Sequence, residues 1–182
     1  MVGAGSWGTT VAALTSQNAT TTLWARRPQL ADEINSTRIN SAYLPDTTLP
    51  ESLRADSDLA RALAGADVVA MAVPSLGFRS VIVEVSKHIG DQVPIVSLSK
   101  GLERSTFKRM SEVIADAMPN NPVAVLSGPN LAKEILAGQP AASVIACTDI
   151  AIARELVAVF SRPTFRLYTN PDVIGCEIGG VV

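Results

Sequence analysis

The fold is decided by residues 1–9, Met1-Val2-Gly3-Ala4-Gly5-Ser6-Trp7-Gly8-Thr9, whose three glycines have the spacing Gly-x-Gly-x-x-Gly. In this spacing the first glycine permits a tight turn, the second lets backbone approach a pyrophosphate, and the third lets a helix pack closely on a strand. The helix that follows presents free N–H groups and the positive end of its dipole to phosphates. The loop therefore predicts a dinucleotide site, with a glycine-rich turn that holds no ligand as the alternative.

The loop stands at an unusual place in the chain. Only Met1 and Val2 precede it, whereas such a loop normally follows a buried strand. We expect a shortened first strand, and the other interpretation is a loop used without that strand. A shortened central strand leaves backbone groups and core side chains exposed, so it predicts reduced stability or support from another chain.

Downstream of the loop, strand and helix patterns alternate. β-Branched, aromatic or continuously apolar runs predict strands at residues 20–25, 66–73, 94–98, 123–126, 142–147 and 165–168. Helices are predicted at residues 9–16, 28–35, 56–63, 75–89, 107–118, 131–137 and 150–160. This order predicts an α/β fold, a doubly wound, mostly parallel sheet of the Rossmann type. Residues 1–169 form the predicted dinucleotide-binding domain, and residues 170–182 begin a last helix.

Composition narrows the class of protein. The chain has 182 residues, of which 47% are hydrophobic and 18% charged, with a net charge of −2, so it can bury a core and lacks a broad basic face for nucleic acid. Cys147 and Cys176 have no metal-site spacing, which fits a reducing cytoplasm. No uncharged apolar run approaches the roughly 18–20 residues of a membrane helix, and no signal peptide is expected.

The end of the strand predicted at residues 20–25 bears on the choice of cofactor. Sites selective for NAD usually place an acid there, bonded to the ribose 2′-hydroxyl. This chain has Arg26 and Arg27 instead, and two guanidiniums can hold a 2′-phosphate. The pair therefore favours NADP, with NAD as the alternative. The two arginines could also be a solvated helix start, or stack on adenine and leave selectivity loose.

Two further polar segments follow predicted strands. Lys100 lies in Ser99-Lys100-Gly101-Leu102-Glu103, where a lysine can meet an anionic or carbonyl substrate; a surface lysine at a turn is the alternative. Gly128 and Asn130 precede a helix whose exposed N–H groups suit an anion or a hydroxyl-rich ligand; ordinary helix capping is the alternative. His88 is predicted to lie on the surface near a helix end, and Glu177 to be solvated or structural.

Together these segments resemble the bacterial-type NAD(P)-dependent sn-glycerol-3-phosphate dehydrogenases over nearly the whole chain. Their order and spacing make the set specific, although each motif alone is modest. The matching segments are Gly3–Thr9, Leu23–Arg26, Asn40 with Tyr43–Pro45, Ala72–Ser75, Ser99–Glu103, Ser127–Asn130 with Ala132 and Glu134, and Asn170–Gly175 with Gly179-Gly180.

The resemblance implies a reaction and a set of site residues. The reaction is reversible hydride transfer between NAD(P)H and the pair dihydroxyacetone phosphate and sn-glycerol 3-phosphate, which supplies phospholipid synthesis. The implied dinucleotide contacts are Ser6, Trp7, Arg26, Lys100 and Ala132, and the implied substrate contacts are Lys100, Gly128 and Asn130. Lys100 would hold the substrate oxygen and stabilise charge as the carbonyl is reduced.

The chain departs from the family at its end. In the family a proton-accepting lysine follows the Gly-Gly pair after two small apolar residues, whereas Gly179-Gly180-Val181-Val182 are the last residues here. The helical substrate domain, with its phosphate-binding arginine and asparagine, is also absent. We therefore expect a cofactor-domain fragment, short at both ends, with little turnover, since losing a general base typically costs about 10²–10⁴-fold.

Two other functions remain open. One is a stand-alone module that binds a dinucleotide without catalysis, and the other is a reductase of the same architecture for a 3-hydroxy acid or ketopantoate. The segments at residues 99–103 and 170–175 argue against the second. We expect a cytoplasmic protein with a small-molecule substrate, no nucleic-acid or membrane partner, and a homodimer as an open prediction.

Overall fold

The computed structural model describes residues 1–180, in which eight α-helices and seven strands alternate along the chain. The helices are α1 (Ser6–Thr15), α2 (Pro28–Thr37), α3 (Leu59–Leu63), α4 (Phe78–Val85), α5 (Met110–Ala117), α6 (Ala132–Leu136), α7 (Ile150–Phe160) and α8 (Val173–Gly179). The strands are β1 (Thr22–Trp24), β2 (Arg54–Asp56), β3 (Val69–Met71), β4 (Ile95–Ser97), β5 (Val123–Ser127), β6 (Ala141–Cys147) and β7 (Phe165–Asn170).

The strands form a doubly wound sheet that is parallel except at one pairing. β1 pairs with β2, and β3 to β7 follow one another in order, with β5 and β6 antiparallel. Val2 joins the two groups of strands through parallel bridges to Trp24 and Met71. Its N–H donates to the Ala70 carbonyl at 2.7 Å, and its carbonyl accepts from the Ala72 N–H at 2.8 Å. The predicted mostly parallel α/β fold is confirmed.

Helices cover both faces of the sheet. Consecutive β4 residues show this, because Ile95 packs in a cluster with α4 and α5, whereas Val96 packs in a second cluster with α1 and α7. Both side chains are fully buried. A strand buried on both faces has no polar alternation, which is why continuous apolar runs predicted the central strands correctly.

Several predicted elements have different bounds in the structure. The helix predicted at residues 75–89 is a 3₁₀ turn, Ser75–Gly77, followed by α4, which ends at Val85. The helix predicted at residues 56–63 begins at Leu59, and its N-cap is Asp58, whose side chain accepts from the Arg61 N–H. The preceding residues form strand β2, which the sequence did not predict because only Ala55 of the three is buried and the rest is polar. The helix predicted at residues 107–118 begins at Met110, since Phe107 has a left-handed φ of 57°.

The last predicted helix also begins later than expected. Asn170 is still the final residue of β7, and Asp172 caps α8 by accepting a hydrogen bond from the Gly175 N–H. Of the predicted segment 170–182, residues 181–182 lie outside the described residues. Among residues 1–180, no helix combines the length and apolar character needed to cross a membrane.

Candidate functional site

A cavity of about 830 Å³ opens at the carboxyl ends of the central strands, where ligands bind in open α/β sheets. It is lined by the glycine loop and by residues that follow β1, β3 and β4. Most predicted site residues line it, namely Gly3, Gly5, Ser6, Trp7, Gly8, Arg26, Arg27, Lys100 and Asn130. Gly128 and Ala132 are not among the lining residues. The structure thus brings segments far apart in sequence to one site.

The three glycines of the loop have different surroundings. Gly3 has a φ of +110°, and a Cβ there would lie 2.6 Å from the Ala72 carbonyl oxygen. A Cβ on Gly8 would overlap the Gly3 carbonyl oxygen. A Cβ on Gly5 would meet no protein atom within 4 Å. Gly3 and Gly8 are therefore required by the protein's own packing, whereas nothing in the protein requires glycine at position 5.

The open space at Gly5 lies at the start of α1. Gly5 is the N-cap, with extended backbone at φ −73° and ψ 179°, and no side chain caps the helix. The first turn also carries no acidic residue. The first N–H groups of a helix have no partner within it, and they attract anions together with the helix dipole. The residues present therefore fit the pyrophosphate of a dinucleotide.

Asn40 holds the glycine loop from a distant segment. Its Nδ2 donates to the Ala4 carbonyl at 3.1 Å and to Thr9 Oγ1 at 2.8 Å. The side chain is fully buried. Asn40 was recognised only as part of a matching segment, because its two partners lie 36 and 31 residues away.

Arg26 and Arg27 lie between β1 and α2, where they line the cavity and are exposed. Within the described part of the chain, neither guanidinium forms an ion pair. Trp24, just before them, donates from its indole Nε1 to the Ser57 carbonyl at 3.0 Å. Arg26 and Arg27 are therefore two cations that no carboxylate of the described residues neutralises, in the same cavity as the start of α1. Such a pair fits a phosphate on the adenosine ribose.

Residues 99–109, here called the Lys100 loop, follow β4 and reach the start of α5. Lys100 is exposed, and its Nζ donates to the Gly128 carbonyl oxygen at 3.4 Å, so Gly128 contacts a residue that lines the cavity. Ser99 Oγ donates to the Val73 carbonyl at 2.6 Å, which ties the loop to the end of β3. Lys100 can therefore present an ammonium group to a ligand in the cavity.

Asn130 and Gly128 are held together by one residue of β6. Ser143 Oγ donates to Asn130 Oδ1 at 2.6 Å, which leaves the Asn130 amide nitrogen as the group available to a ligand. A Cβ on Gly128 would overlap Ser143 Oγ, so the turn needs glycine there. Ala132 is the first residue of α6, two positions beyond Asn130.

The sequence missed the charged contacts around the Lys100 loop. Arg79 of α4 donates from Nε and Nη2 to the two Glu103 carboxylate oxygens at 2.6 and 2.8 Å, and Nη2 also reaches Asp116 at 3.0 Å. The hydrogen bond from Arg79, followed by that from Thr106, lowers the pKa of Glu103 from 4.5 to about 2. Glu103 was recognised only as part of a motif, because its partner lies 24 residues away.

His88 and Glu177 lie outside the cavity. His88 Nε2 is 3.8 Å from Glu84 Oε1, one turn earlier on the same surface. Glu177 is buried and accepts from the Ser111 N–H at 2.9 Å, from Ser111 Oγ at 2.5 Å and from Arg109 Nη1 at 3.1 Å. It is therefore structural and not solvated, and it joins α8 to the start of α5.

Comparisons with known proteins agree with this geometry. The sequence profile of the family described as "NAD-dependent glycerol-3-phosphate dehydrogenase N-terminus" matches residues 1–153. The protein "Glycerol-3-phosphate dehydrogenase [NAD(P)+] 2" of Sphingopyxis alaskensis is 53% identical over 182 residues, which are 100% of this chain and 55% of that protein. The corresponding protein of Corynebacterium kroppenstedtii is 51% identical over 184 residues, with the same coverage of 100% and 55%.

A solved structure extends the likeness to three dimensions. The crystal structure of glycerol-3-phosphate dehydrogenase from Coxiella burnetii matches with a TM-score of 0.91 at 34% identity, over 98% of this chain and 55% of that one. The chain spans about half the length of the curated relatives it matches. It belongs to the NAD-dependent glycerol-3-phosphate dehydrogenase family and corresponds to the N-terminal part of those proteins.

Proposed function

We propose that this chain is the cofactor-binding part of an oxidoreductase that interconverts dihydroxyacetone phosphate and sn-glycerol 3-phosphate with NADPH, and less readily with NADH. The observation that carries the proposal is the open space at Gly5, beside the uncapped start of α1 and in the same cavity as Lys100. The product of this reaction is the backbone of glycerophospholipids, so the reaction would supply phospholipid synthesis.

The cavity assigns a role to each end of the cofactor. The N–H groups at the start of α1, with Ser6 and Trp7, would bind the pyrophosphate. Arg26 and Arg27 would bind the 2′-phosphate, which supports a preference for NADPH. Trp7 packs edge-on against Phe165 with ring centroids 6.1 Å apart, so the Phe165 ring helps to fix the position of the indole.

Lys100 and Asn130 would act on the substrate, and Lys100 would also contact the dinucleotide that binds in the same cavity. The bound nicotinamide supplies the hydride. The Lys100 ammonium would donate to the carbonyl oxygen of dihydroxyacetone phosphate and stabilise the negative charge that develops on it. Gly128 orients this ammonium through its carbonyl, and the Asn130 amide nitrogen offers a second donor. Both groups are donors, which suits a ligand rich in oxygen acceptors.

Because the relatives are longer than this chain, we assign cofactor binding and substrate binding to different parts of the protein. We propose that residues 1–169 bind the cofactor and that residues 170–182 begin the connection to a helical substrate domain. The chain spans about half of its relatives, so we expect residues 1–182 alone to bind the cofactor and to give little turnover.

Location and assembly are further proposals. We propose a cytoplasmic protein that uses no nucleic acid, supported by two cysteines that form no disulfide and by the acidic net charge of −2. Burial raises the pKa of the Cys147 thiol, so that thiol is an inert core group. A homodimer remains a prediction that sedimentation equilibrium would test.

The first test is calorimetric titration of the 182-residue chain with NADPH and with NADH. We expect saturable binding of both, with NADPH tighter. Gly5→Ala places a methyl group in the proposed pyrophosphate position and should weaken binding at least about tenfold. Gly90→Ala is the matched control, because a Cβ there also meets nothing within 4 Å and lies outside the cavity. Absence of binding by the folded chain would reject the proposal.

The second test concerns the chemistry. A chimaera would join residues 1–182 to the remaining part of the Sphingopyxis alaskensis relative, and NADPH oxidation would be followed with dihydroxyacetone phosphate. Lys100→Met should lower kcat by about 10²-fold or more, as losing one charge-stabilising donor does. Lys87→Met, an exposed lysine paired with Glu84, is the control. Equal rates for both variants would remove Lys100 from the mechanism.

A further inference from the structure

Four charged side chains form a cluster, here called the Arg79 cluster, that joins α4, α5 and the Lys100 loop. Its members are Arg79, Glu103, Lys108 and Asp116. Arg79 binds both carboxylates, and Lys108 Nζ reaches the two Asp116 oxygens at 2.8 and 2.6 Å. The cluster uses none of the groups assigned above to cofactor or substrate, although it lies next to them in the chain.

The Lys100 loop contains no helix and no strand, so its shape depends on a few contacts. An isolated bridge between Leu102 and Arg109 closes its far half. Gly101 has a φ of +110° and lies against Ser75, where a Cβ would be 3.0 Å from Oγ. Glu103, only three residues after Lys100, has a side chain 11% exposed and makes the loop's two-pronged bond to Arg79. Glu103 is therefore the loop's main side-chain anchor.

The anchor connects the loop to a wall of the cavity. Arg79 is followed on α4 by Ser80 and Val81, which both line the cavity. Glu103 therefore ties the backbone that carries Lys100 to the helix that forms the wall. A planar guanidinium that binds both carboxylate oxygens fixes direction as well as distance, which a single contact does not.

We propose that Arg79 and Glu103 are a positioning pair that holds Lys100 in the orientation from which it meets the cofactor. This inference rests on the proposed function. The fold does not need the pair to join α4 to α5, because the two helices also share a buried apolar cluster that includes Phe78, Ile82, Met110 and Ile114. Without Glu103, Arg79 keeps Asp116 as a partner. Removing Glu103 should therefore loosen the loop and leave the domain folded.

A double-mutant cycle on the 182-residue chain tests this role. The NADPH dissociation constant is measured for the wild type, Glu103→Gln, Lys100→Met and the double variant, with thermal unfolding of each as the check on folding. We expect Glu103→Gln to weaken binding about fivefold when Lys100 is present and less than about twofold when position 100 is methionine. A residue that only stabilises the domain would give the same loss in both backgrounds.

Glu84→Gln is the matched control, because it removes one carboxylate from the same helix as Arg79 at an exposed pair with Lys87. It should leave NADPH binding unchanged in both backgrounds. Should Glu103→Gln fail to fold, Glu103→Asp keeps the charge, shortens the reach and should show the same pattern at smaller size. Two results overturn the positioning role alone. One is an equal loss of NADPH binding in both backgrounds, and the other is NADPH binding that Lys100→Met leaves unchanged. A folded wild type that binds no NADPH overturns the proposed function as well.

Discussion

The glycine loop and the Lys100 loop line the same cavity, but they keep their shapes by different means. The glycine loop is held chiefly by backbone packing, since a side chain at Gly3 or Gly8 would collide with main-chain atoms of the protein itself, and the Asn40 side chain adds two hydrogen bonds. The Lys100 loop is held by side chains, chiefly Glu103 on Arg79 and, at its far end, Arg109 on Glu177. The glycine loop therefore depends mainly on close backbone approaches, and the Lys100 loop depends on ion pairs between residues far apart in the chain.

This difference predicts which kind of substitution would disturb each loop. Adding atoms harms the glycine loop, because its close approaches leave no room, and the cost falls on folding itself. Removing atoms harms the Lys100 loop, because its anchors are few and specific, and the cost falls on the placement of one ammonium group as well as on stability. Four predictions test this contrast, in order of decreasing expected effect.

The largest effect should come from Gly8→Ala. The added Cβ overlaps the Gly3 carbonyl oxygen and approaches Ala72, so we expect the free energy of unfolding to fall by about 3 kcal/mol. Gly5→Ala should instead change it by less than about 1 kcal/mol, because the backbone suits alanine and the space is open, whereas alanine is a poorer N-cap than glycine. Urea unfolding of both variants measures this. Similar losses would erase the distinction drawn between the two glycines.

The next effect concerns the far end of the Lys100 loop. Glu177→Gln removes a buried negative charge, so the Arg109 guanidinium, 16% exposed, keeps only Glu112 as an ion-pair partner, at 3.3 Å. We expect a loss of about 2 kcal/mol in the free energy of unfolding. Glu155→Gln, on the exposed face of α7, is the control and should change stability little. An unchanged midpoint for Glu177→Gln would show that the loop does not depend on this anchor.

A smaller effect is expected at the mouth of the cavity. Replacing Arg26 and Arg27 together with alanine should weaken NADPH binding about tenfold or more and change NADH binding less than about twofold, because only NADPH carries the 2′-phosphate. Replacing Arg154 and Lys87 together with alanine removes the same two charges outside the cavity and is the control. Calorimetry at low and high salt measures the ratio of variant to wild-type affinity for NADPH and for NADH. Equal losses for the two cofactors would assign the arginines to a shared part of the dinucleotide.

The smallest effect is the pH dependence of the Glu103 anchor. Arg79 lowers the pKa of Glu103 to about 2 in the folded state, below the value of roughly 4.3 expected when unfolded. The anchor's contribution to stability is therefore complete above the unfolded pKa and is lost as the pH falls toward 2. Between these values Glu103→Gln should lose stability less steeply than the wild type. Parallel slopes in urea unfolding would contradict the ion pair's role.

The sequence predicted the glycine loop and six of the seven strands within residues 1–180. It succeeded there because both signals are local. A strand buried on two faces needs an unbroken apolar run, and a close backbone approach needs glycine at fixed spacing. Strand β2 was missed because its pairing with β1, and not its own pattern, makes it a strand.

By itself, then, the sequence determined the doubly wound fold and predicted most of the named residues that line the cavity at the strand ends. Only the tertiary structure decided how those residues are held: Asn40 on the glycine loop, Ser143 on Asn130, Arg79 on Glu103 and Glu177 on Ser111. The partners in these contacts lie between 13 and 66 residues apart. A hydrogen bond or ion pair is specific to the two groups that meet, and which groups meet is fixed by the packing of the whole domain.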